Sequence, residues 1–239
     1  MITLKASAPG LKSAEASLQS VVYNPNIIQV EAKPIYDFAH MRVDIGSPEQ
    51  LVQFAWPAWN GTDPQQQEYE CDALGGFRTM IRPASQNGIL RWLGEMNVVG
   101  KDGYVYGDGV LGVDDDGLVL SFHDLAAGQY KLTTWHHAPR TNSDLMDPNR
   151  EKLAKLQIHK IPFERRISLF VEGETPSAND WLEITEGKNM QFEAVAKHDL
   201  VFVSDGVNPV KIQLKGEGNK GIWLNGFELR EWNWEMPAN

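Results

Sequence analysis

GLVLSFHDLAAGQYKLTTWHHAPR, residues 117–140, consists of two apolar-rich runs joined by a short Ala-Ala-Gly turn. Every second residue on each side of the turn is apolar or β-branched: Leu118, Leu120 and Phe122 before it, and Tyr130, Leu132 and Thr134 after it. A period of two is typical of a half-buried strand, whereas an amphipathic helix repeats its apolar residues every three or four positions. The stretch therefore predicts two neighbouring β-strands.

The last third of the chain continues the same pattern. Short alternating runs separated by Gly, Asn, Asp and Pro predict strands at 167–172, 190–196, 200–204, 210–214 and 222–229. Such regular spacing favours an all-β fold, an antiparallel β-sandwich or jelly roll with little helix. We predict a single domain over 1–239, in which 1–40 forms N-terminal strands or an extension.

Two stretches between these strands have a less regular pattern. Residues 98–113, rich in Gly and Tyr, are interpreted as a hairpin with loops, and a short helix is predicted at 148–156. The glycines at strand boundaries are predicted to adopt backbone conformations that other residues rarely reach. Gly128 would let the chain reverse, while Asn225 and Gly226 would tolerate the left-handed conformations of a tight turn or bulge.

Charge and composition exclude several classes of partner. The chain has 22 Lys and Arg against 32 Asp and Glu, and its formal net charge of −10 argues against a nucleic-acid partner. No run approaches the ~20 consecutive apolar residues of a membrane span, so no membrane partner is predicted. The first residues lack the apolar core of a signal peptide, and we expect an extracellular or periplasmic domain whose export signal has been removed. The single Cys71 allows no intrachain disulfide and is predicted to be a small core side chain.

The end of the second central strand is the main candidate for a ligand site. Trp135, His136 and His137 stand just before Pro139, where an indole could stack on a sugar ring and imidazoles could hydrogen-bond its hydroxyls. Alternation places Trp135 and His137 on one face and His136 on the other. The alternative is structural, with His136 a satisfied core histidine and Trp135 a packed indole. The following loop would supply a polar rim from Arg140, Asn142 and Asp144.

Other tryptophans add candidates, since the chain contains eight of them. Trp56 and Trp59 flank Pro57, and Trp92 follows an arginine; each could be a stacking platform or a core residue. Trp232 and Trp234 are predicted to pin the chain end to the body of the domain.

No cofactor is predicted, although a structural calcium is a minority hypothesis. Asp114, Asp115 and Asp116 are consecutive carboxylates of the kind that bind hard cations, but three adjacent residues cannot all face one ion on a strand. A solvated acidic turn is the favoured interpretation. For catalysis, the chain has no Gly-x-Ser-x-Gly elbow, His-Glu-x-x-His helix or phosphate loop.

Four segments carry a resemblance to a known family. They are RVDIGSPEQLVQFAWPAW (42–59), LSFHDLAAGQYKLTTWHHAP (120–139), LVFVSDGVNPVKIQLKGEG (200–218) and IWLNGFELRE (222–231). In this order they resemble the galactose-binding-like, malectin-like β-sandwiches attached to secreted bacterial polysaccharide-degrading enzymes. Those domains open with a Val-Asp-Phe-Gly strand, where this chain has Ile45 in place of Phe. The resemblance implies a β-sandwich that binds carbohydrate.

The leading hypothesis is a non-catalytic carbohydrate-binding module that recognises a plant or algal polysaccharide and has a neighbouring catalytic domain as a further partner. The first alternative is a jelly-roll polysaccharide lyase or glycoside hydrolase that uses His136, His137 or His159 with a nearby Tyr or Arg. For the lyase, Gln157-Ile158-His159 resembles the Gln-Ile-His strand of alginate lyases. The second alternative is a structural sandwich that packs on an adjacent catalytic domain through its tryptophans.

Overall fold

The computed structural model describes residues 2–6, 14–18, 40–71, 73–94, 103–113, 117–143, 161–177, 180–187 and 195–232. The chain divides into two compact units, Met1–Ile35 and Tyr36–Asn239. The described part of the first unit is an antiparallel hairpin of β1 (Ile2–Ala6) and β2 (Ala14–Leu18). Several predictions lie outside the described residues: the helix at 148–156, residues 190–194 of the predicted strand 190–196, Asp114–Asp116, Asp144, His159 and Trp234.

The second unit is built from strands. In chain order they are β3 (His40–Gly46), β4 (Ala58–Asn60), β5 (Gln67–Cys71), β6 (Phe77–Pro83), β7 (Ile89–Leu93), β8 (Gly109–Val113), β9 (Leu118–His123), β10 (Gly128–Ala138), β11 (Arg166–Val171), β12 (Trp181–Glu183), β13 (Thr185–Glu186), β14 (Ala196–Ser204), β15 (Val210–Gly216), β16 (Ile222–Leu224) and β17 (Gly226–Glu231). A 3₁₀ turn at Ala73–Gly75 and the one-turn helix α1 (Gly103–Tyr106) complete the described elements. The predicted all-β class is confirmed.

The described residues of this unit form three sheets. Sheet I has the order β13-β10-β17-β3-β4, and β14 also pairs with β10. Sheet II has the order β12-β11-β15-β9-β6-β5, and a three-stranded sheet has the order β16-β8-β7. Strand pairing is antiparallel except at β3–β4 and β10–β13, which are short parallel pairs. The two central strands predicted from residues 117–140 are β9 and β10, which lie in opposite sheets rather than side by side.

The core lies between sheets I and II. Phe122 of β9 is fully buried and contacts Phe202 of β14 and Phe227 of β17, with ring centroids 5.8 and 5.9 Å apart. The alternating residues of the central stretch, Leu118, Leu120 and Leu132, belong to the same cluster. Half-buried Cys71 packs against it. Burial of one face of each sheet is what makes the period of two visible in the sequence.

The connection between β9 and β10 reverses without using Gly128. Asp124 has the positive φ, 62°, while Gly128 already belongs to β10. The Tyr130 hydroxyl donates a hydrogen bond to the Ala126 carbonyl, 3.0 Å away, and the side chain of Leu125 is buried in the core. Such a tyrosine corner is a device of β-sandwiches. The predicted turn is therefore present, but the residue that adopts the left-handed conformation is Asp124 and not Gly128.

The structure differs from three other local predictions. In the described part of 98–113, α1 and β8 replace the predicted hairpin. Residue 196 and the predicted strand 200–204 belong to one continuous strand, β14. Asn225 interrupts 222–229 as predicted, yet neither Asn225 nor Gly226 has a positive φ. Gly226 is required by close approach instead, because a Cβ there would lie 2.7 Å from the Val43 carbonyl oxygen.

Candidate functional site

The outer face of sheet I collects polar and aromatic side chains from four strands. Register aligns one row as Lys197, Trp135, Gly226 and Asp44, the next as Asp199, Thr133, Glu228 and Arg42, and the third as Val201, Lys131, Arg230 and His40. Residues opposite one another in a sheet point to the same side. The intervening residues of each strand, such as Leu132 and Leu229, fill the core. We call this surface the outer face.

Two indoles lie at the end of the outer face that contains Trp135 and Gly226, which we call the upper end. Trp56, which precedes β4, lies edge-on to Trp135 with ring centroids 5.0 Å apart and planes at 79°. The missing side chain of Gly226 makes room for Trp56, since a Cβ there would be 3.2 Å from its ring. Trp56 is half-buried and Trp135 is 5% exposed. In the loop before Trp56, Phe54 is 91% exposed.

A strip of ion-paired and hydrogen-bonding groups crosses the middle of the outer face. Arg42 pairs with Glu228 at 2.7 Å, and Lys131 pairs with Asp199 at 2.6 Å. The Thr133 hydroxyl also donates to Asp199, 2.5 Å away. Burial raises the pKa of Asp199, but the bonds from Lys131 and Thr133 outweigh it and leave this pKa lowered. The strip therefore offers charged donors and acceptors in fixed positions.

Trp232 stands at the lower end, just after β17. Its backbone amide donates to the Gln129 carbonyl at 2.8 Å, while its indole is 43% exposed. Lys131 and Arg230 approach the ring to 5.5 and 5.7 Å from its centroid. The backbone bond attaches the chain end as predicted for Trp232, but the side chain is available to a ligand. Because Gln129 and Trp135 are six residues apart on one strand, the two aromatic ends are separated by roughly 20 Å.

A buried carboxyl pair lies beneath the upper end. Asp44 and Asp108 are 0% and 1% exposed, and each has a buried Oδ1 without a hydrogen-bond donor. Burial raises the pKa of Asp44 to about 7, and burial together with the charge of Asp44 raises the pKa of Asp108 to about 10. Two carboxyl groups in contact cannot both ionise at low cost, so Asp108 keeps its proton at neutral pH. The other oxygen of Asp44 accepts from the Gln53 amide at 2.8 Å and anchors the Trp56 loop.

The two histidines of the predicted site are enclosed. The His136 ring lies 2.7 Å from the Trp223 carbonyl and 2.7 Å from the Thr134 hydroxyl. The His137 ring lies 2.7 Å from the Gly187 carbonyl and 2.9 Å from the Thr185 hydroxyl. Both are 0% exposed, and burial lowers their pKa values to about 3 and about 4. Both rings are neutral and fully hydrogen-bonded, which agrees with the structural alternative for His136 and extends it to His137.

The predicted alternation along β10 is confirmed. Tyr106 of α1 packs with Trp135 and lies edge-on to His137, with ring centroids 6.3 Å apart, so these two share the outer side of sheet I. His136 points to the opposite side, where it meets the three-stranded sheet at Trp223. The helix α1 covers the outward side at this end of the strand and accounts for the burial of Trp135 and His137.

The residues of the predicted polar rim, Arg140 and Asn142, bind the neighbouring loop and do not line an open site. Arg140 is 1% exposed; its guanidinium donates to the Ile161 carbonyl and lies over the Phe163 ring. The Asn142 amide exchanges two hydrogen bonds with the backbone of Phe163, at 3.1 and 3.2 Å. These contacts tie residues 140–142 to 161–163. The structure therefore gives Arg140 and Asn142 packing roles, while Asp144 lies outside the described residues.

Trp59 and Trp92 form a separate aromatic cluster with Tyr69. Trp59 is 1% exposed, and its ring centroid is 6.3 Å from that of Trp92. The half-buried indole of Trp92 covers Gly61 and donates to the Asp63 carbonyl at 2.7 Å. The nine predicted site residues thus do not converge. Of the eight that are described, Trp56 and Trp135 lie together on the outer face, and His137 lies on the same side of sheet I but is covered by α1.

Sequence reasoning did not single out the charged residues of the outer face. They are Arg42, Lys131, Lys197, Asp199, Glu228 and Arg230. Each occupies an outward position of a strand with alternating side chains, and this alternation could have identified them as surface residues of the sheet. Their grouping depends on the strand order, which alternation does not contain.

Within the described residues, no group of three or more His, Cys, Asp or Glu side chains could hold a metal ion. The favoured acidic turn at Asp114–Asp116 and the minority hypothesis of a structural calcium there both stay predictions, since those residues are not among the described ones. No described helix has both the length and the apolar character needed to cross a membrane.

Comparisons with known proteins return structural neighbours only. No protein-family profile matches the sequence, and no curated protein matches it. A Bacillus subtilis protein aligns at 12% identity and a TM-score of 0.41 over 84% of this chain, which spans 42% of that protein. A Bacteroides uniformis β-glucuronidase aligns at 12% identity and a TM-score of 0.41 over 96% of this chain and 22% of the enzyme. The CBM35 from Cellvibrio japonicus Abf62 aligns at 13% identity and a TM-score of 0.31 over 63% of this chain and 91% of that module.

Proposed function

We propose that the chain is a carbohydrate-binding module that holds a plant or algal polysaccharide on the outer face of sheet I. The observation that carries the proposal is the arrangement of that face. Exposed Trp232 and half-buried Trp56 bracket a strip of fixed hydrogen-bonding side chains. An indole stacks on the apolar face of a sugar ring, and charged side chains bond its hydroxyls. A strip of roughly 20 Å suits several sugar residues of a polymer.

Binding is favoured over catalysis by the state of His136 and His137, two of the three histidines of the enzyme alternative; the third, His159, lies outside the described residues. A general acid or base must reach the proton that it transfers, and its pKa must lie near the working pH. His136 and His137 are enclosed, neutral and hydrogen-bonded through both ring nitrogens. The buried Asp44 and Asp108 are equally inaccessible to a substrate. As a binding module, the chain would act in the extracellular or periplasmic space beside a catalytic domain.

Affinity electrophoresis against a panel of plant and algal polysaccharides tests the proposal. We expect retention on at least one polymer without new reducing or unsaturated ends. Trp232→Ala should weaken binding by about 1 to 3 kcal/mol, because it removes a stacking surface. The control is Trp181→Ala, since Trp181 of sheet II also carries an arginine over its ring, 5.9 Å from Arg166.

Three outcomes contradict the proposal. Product formation would make the chain an enzyme. Absence of retention on every polymer would favour the structural alternative, and equal losses in the Trp232 and Trp181 variants would remove the outer face from the site.

A further inference from the structure

The outer face has a charge opposite to that of the whole chain. The outward positions of β3, β10, β14 and β17 carry four cations, Arg42, Lys131, Lys197 and Arg230. They carry two accessible carboxylates, Asp199 and Glu228, while Asp44 is fully buried. The chain as a whole has a formal net charge of −10. A positive surface on an acidic protein concentrates anions locally and repels them elsewhere.

Two of the four cations are already neutralised by neighbours. Arg42 pairs with Glu228 and Lys131 pairs with Asp199. Lys197 and Arg230 form no ion pair with a carboxylate of the described residues, and both are exposed. Arg230 also acts by its charge on Asp199 and lowers the pKa of that carboxyl, but the face still carries four cations against two accessible carboxylates. The two cations of this face without an ion-pair contact among the described residues are Lys197 and Arg230.

Each of these two cations is held against an indole. The Lys197 ammonium lies 5.1 Å from the centroid of Trp135, and the Arg230 guanidinium lies 5.7 Å from that of Trp232. Cation–π contacts of this kind restrain the charged group on the surface. A sugar ring stacked on Trp232 would place an acidic substituent beside Arg230. The combination of an aromatic platform and an unpaired cation matches an acidic sugar better than a neutral one.

We infer that the ligand of the outer face is an anionic polysaccharide, whose carboxylate or sulfate groups pair with Lys197 and Arg230. The inference rests on the proposed carbohydrate-binding function and specifies its ligand class. The two cations are four residues apart along the strands and two strands apart, which corresponds to roughly 16 Å. One sugar residue cannot reach both, so a polymer binds much more tightly than its monomer.

The test compares matched polymers by isothermal titration at low salt. Polygalacturonate and its fully methyl-esterified form differ in carboxylate charge, and a sulfated galactan and its desulfated form differ in sulfate. We expect each charged polymer to bind at least about tenfold more tightly than its neutral partner, with affinity falling as salt is added. The uronate and sulfate arms distinguish the two possible sources of charge. Galacturonic acid monomer and single-stranded DNA complete the panel.

Charge variants assign the effect to the two cations. Lys197→Gln and Arg230→Gln should each weaken binding of the preferred acidic polymer by about tenfold, because each removes a charge-assisted contact. Lys215→Gln, on β15 of sheet II, makes the same change in net charge and should leave affinity unchanged. Circular dichroism of all three variants checks that the fold is retained.

Each contrary result has a distinct meaning. Equal affinity for charged and neutral polymers overturns the inference but leaves the proposed function standing. Equal losses in all three variants show an effect of net charge alone and overturn it too. Binding of DNA as tight as that of the best polysaccharide overturns the inference, because it makes the face a general polyanion surface. Retention of no polysaccharide at all removes the proposed function as well.

Discussion

Asn225 connects several segments of the second unit through its side chain and its backbone. Its side-chain oxygen accepts from the His137 amide at 2.6 Å, and its side-chain nitrogen donates to the Asp108 carbonyl at 2.5 Å. Its backbone amide donates to Trp135 and its carbonyl accepts from Ile45. It is 0% exposed and lies where the chain passes from β16 to β17. Asn225 therefore joins three segments: its side chain binds β10 and the segment before β8, and its backbone carbonyl binds β3.

We predict that Asn225→Ala destabilises the protein by about 2 to 5 kcal/mol. The substitution leaves the His137 amide and the Asp108 carbonyl buried without partners, and each such group costs about 1 to 3 kcal/mol. Urea denaturation followed by tryptophan fluorescence measures the change. Asn208→Ala is the control, because Asn208 is exposed and its side chain bonds Asp205 in a surface turn. A loss below 1 kcal/mol for the Asn225 variant would show that water or backbone movement satisfies both groups.

At the scale of elements, the two halves of β10 differ in how they are buried. Its first half has the ordinary pattern of a sandwich strand, with Tyr130 and Leu132 in the core and Lys131 and Thr133 outward. In its second half both faces are buried, because α1 covers the outward side and the three-stranded sheet meets the inward side. The tryptophan and histidines at this end are therefore parts of packed layers.

Trp135→Ala should lower the free energy of unfolding by about 3 to 5 kcal/mol. Trp135 is 5% exposed and packs with Val105, Tyr106 and Val195, so truncation leaves a cavity in a small cluster. Thermal melting of the wild type and the variant measures the loss. A melting temperature close to that of the wild type, together with weaker polysaccharide binding, would instead assign the indole to ligand contact.

For the whole molecule, the Asp44–Asp108 pair links stability to pH. Both folded-state pKa values are raised above the ordinary value of about 4, so the folded protein binds more protons than the unfolded chain. Stability then falls as pH rises above the unfolded value, and the fall continues until the folded pKa values are passed. His136 and His137, whose pKa values are lowered, act in the opposite sense. Their contribution is complete above about pH 6.5 and is lost as pH falls towards 4.

We predict that the free energy of unfolding of the wild type declines between pH 7 and pH 9 and that Asp108→Asn removes most of this decline. In that interval the histidines are neutral in both states, while Asp108 still holds a proton in the folded state alone. One such proton corresponds to about 1.4 kcal/mol per pH unit. Urea denaturation at several pH values measures the slope.

Asp180→Asn is the control for this experiment. The pKa of Asp180 is lowered by hydrogen bonds from Ser177, so its carboxyl is ionised in both states over this interval. The same slope in the wild type and the Asp108 variant would show that the buried pair is not the source of the decline.

The sequence alone determined the features that depend on near neighbours in the chain. Alternation identified β9 and β10, the strands β11 and β14 to β17 of the last third, and the opposite directions of His136 and Trp135. Side-chain direction in a strand repeats every two residues, so these features can be seen in the sequence. The Ala-Ala-Gly turn between the two strands was also predicted, and the hydrogen bond from Tyr130 to Ala126 that closes it joins residues four positions apart. These contacts are local, and the pattern that encodes them is local too.

The tertiary structure decided which strands became neighbours, and with them the candidate site. Arg42 and Glu228 are 186 residues apart in the chain and 2.7 Å apart on the outer face. Asp44 meets Asp108, and Trp56 fills the space above Gly226, through the same long-range pairing. Burial of Trp135 and His137 likewise required α1 to cover β10. Register between distant strands follows from packing of the whole core, so no short pattern of residues contains it.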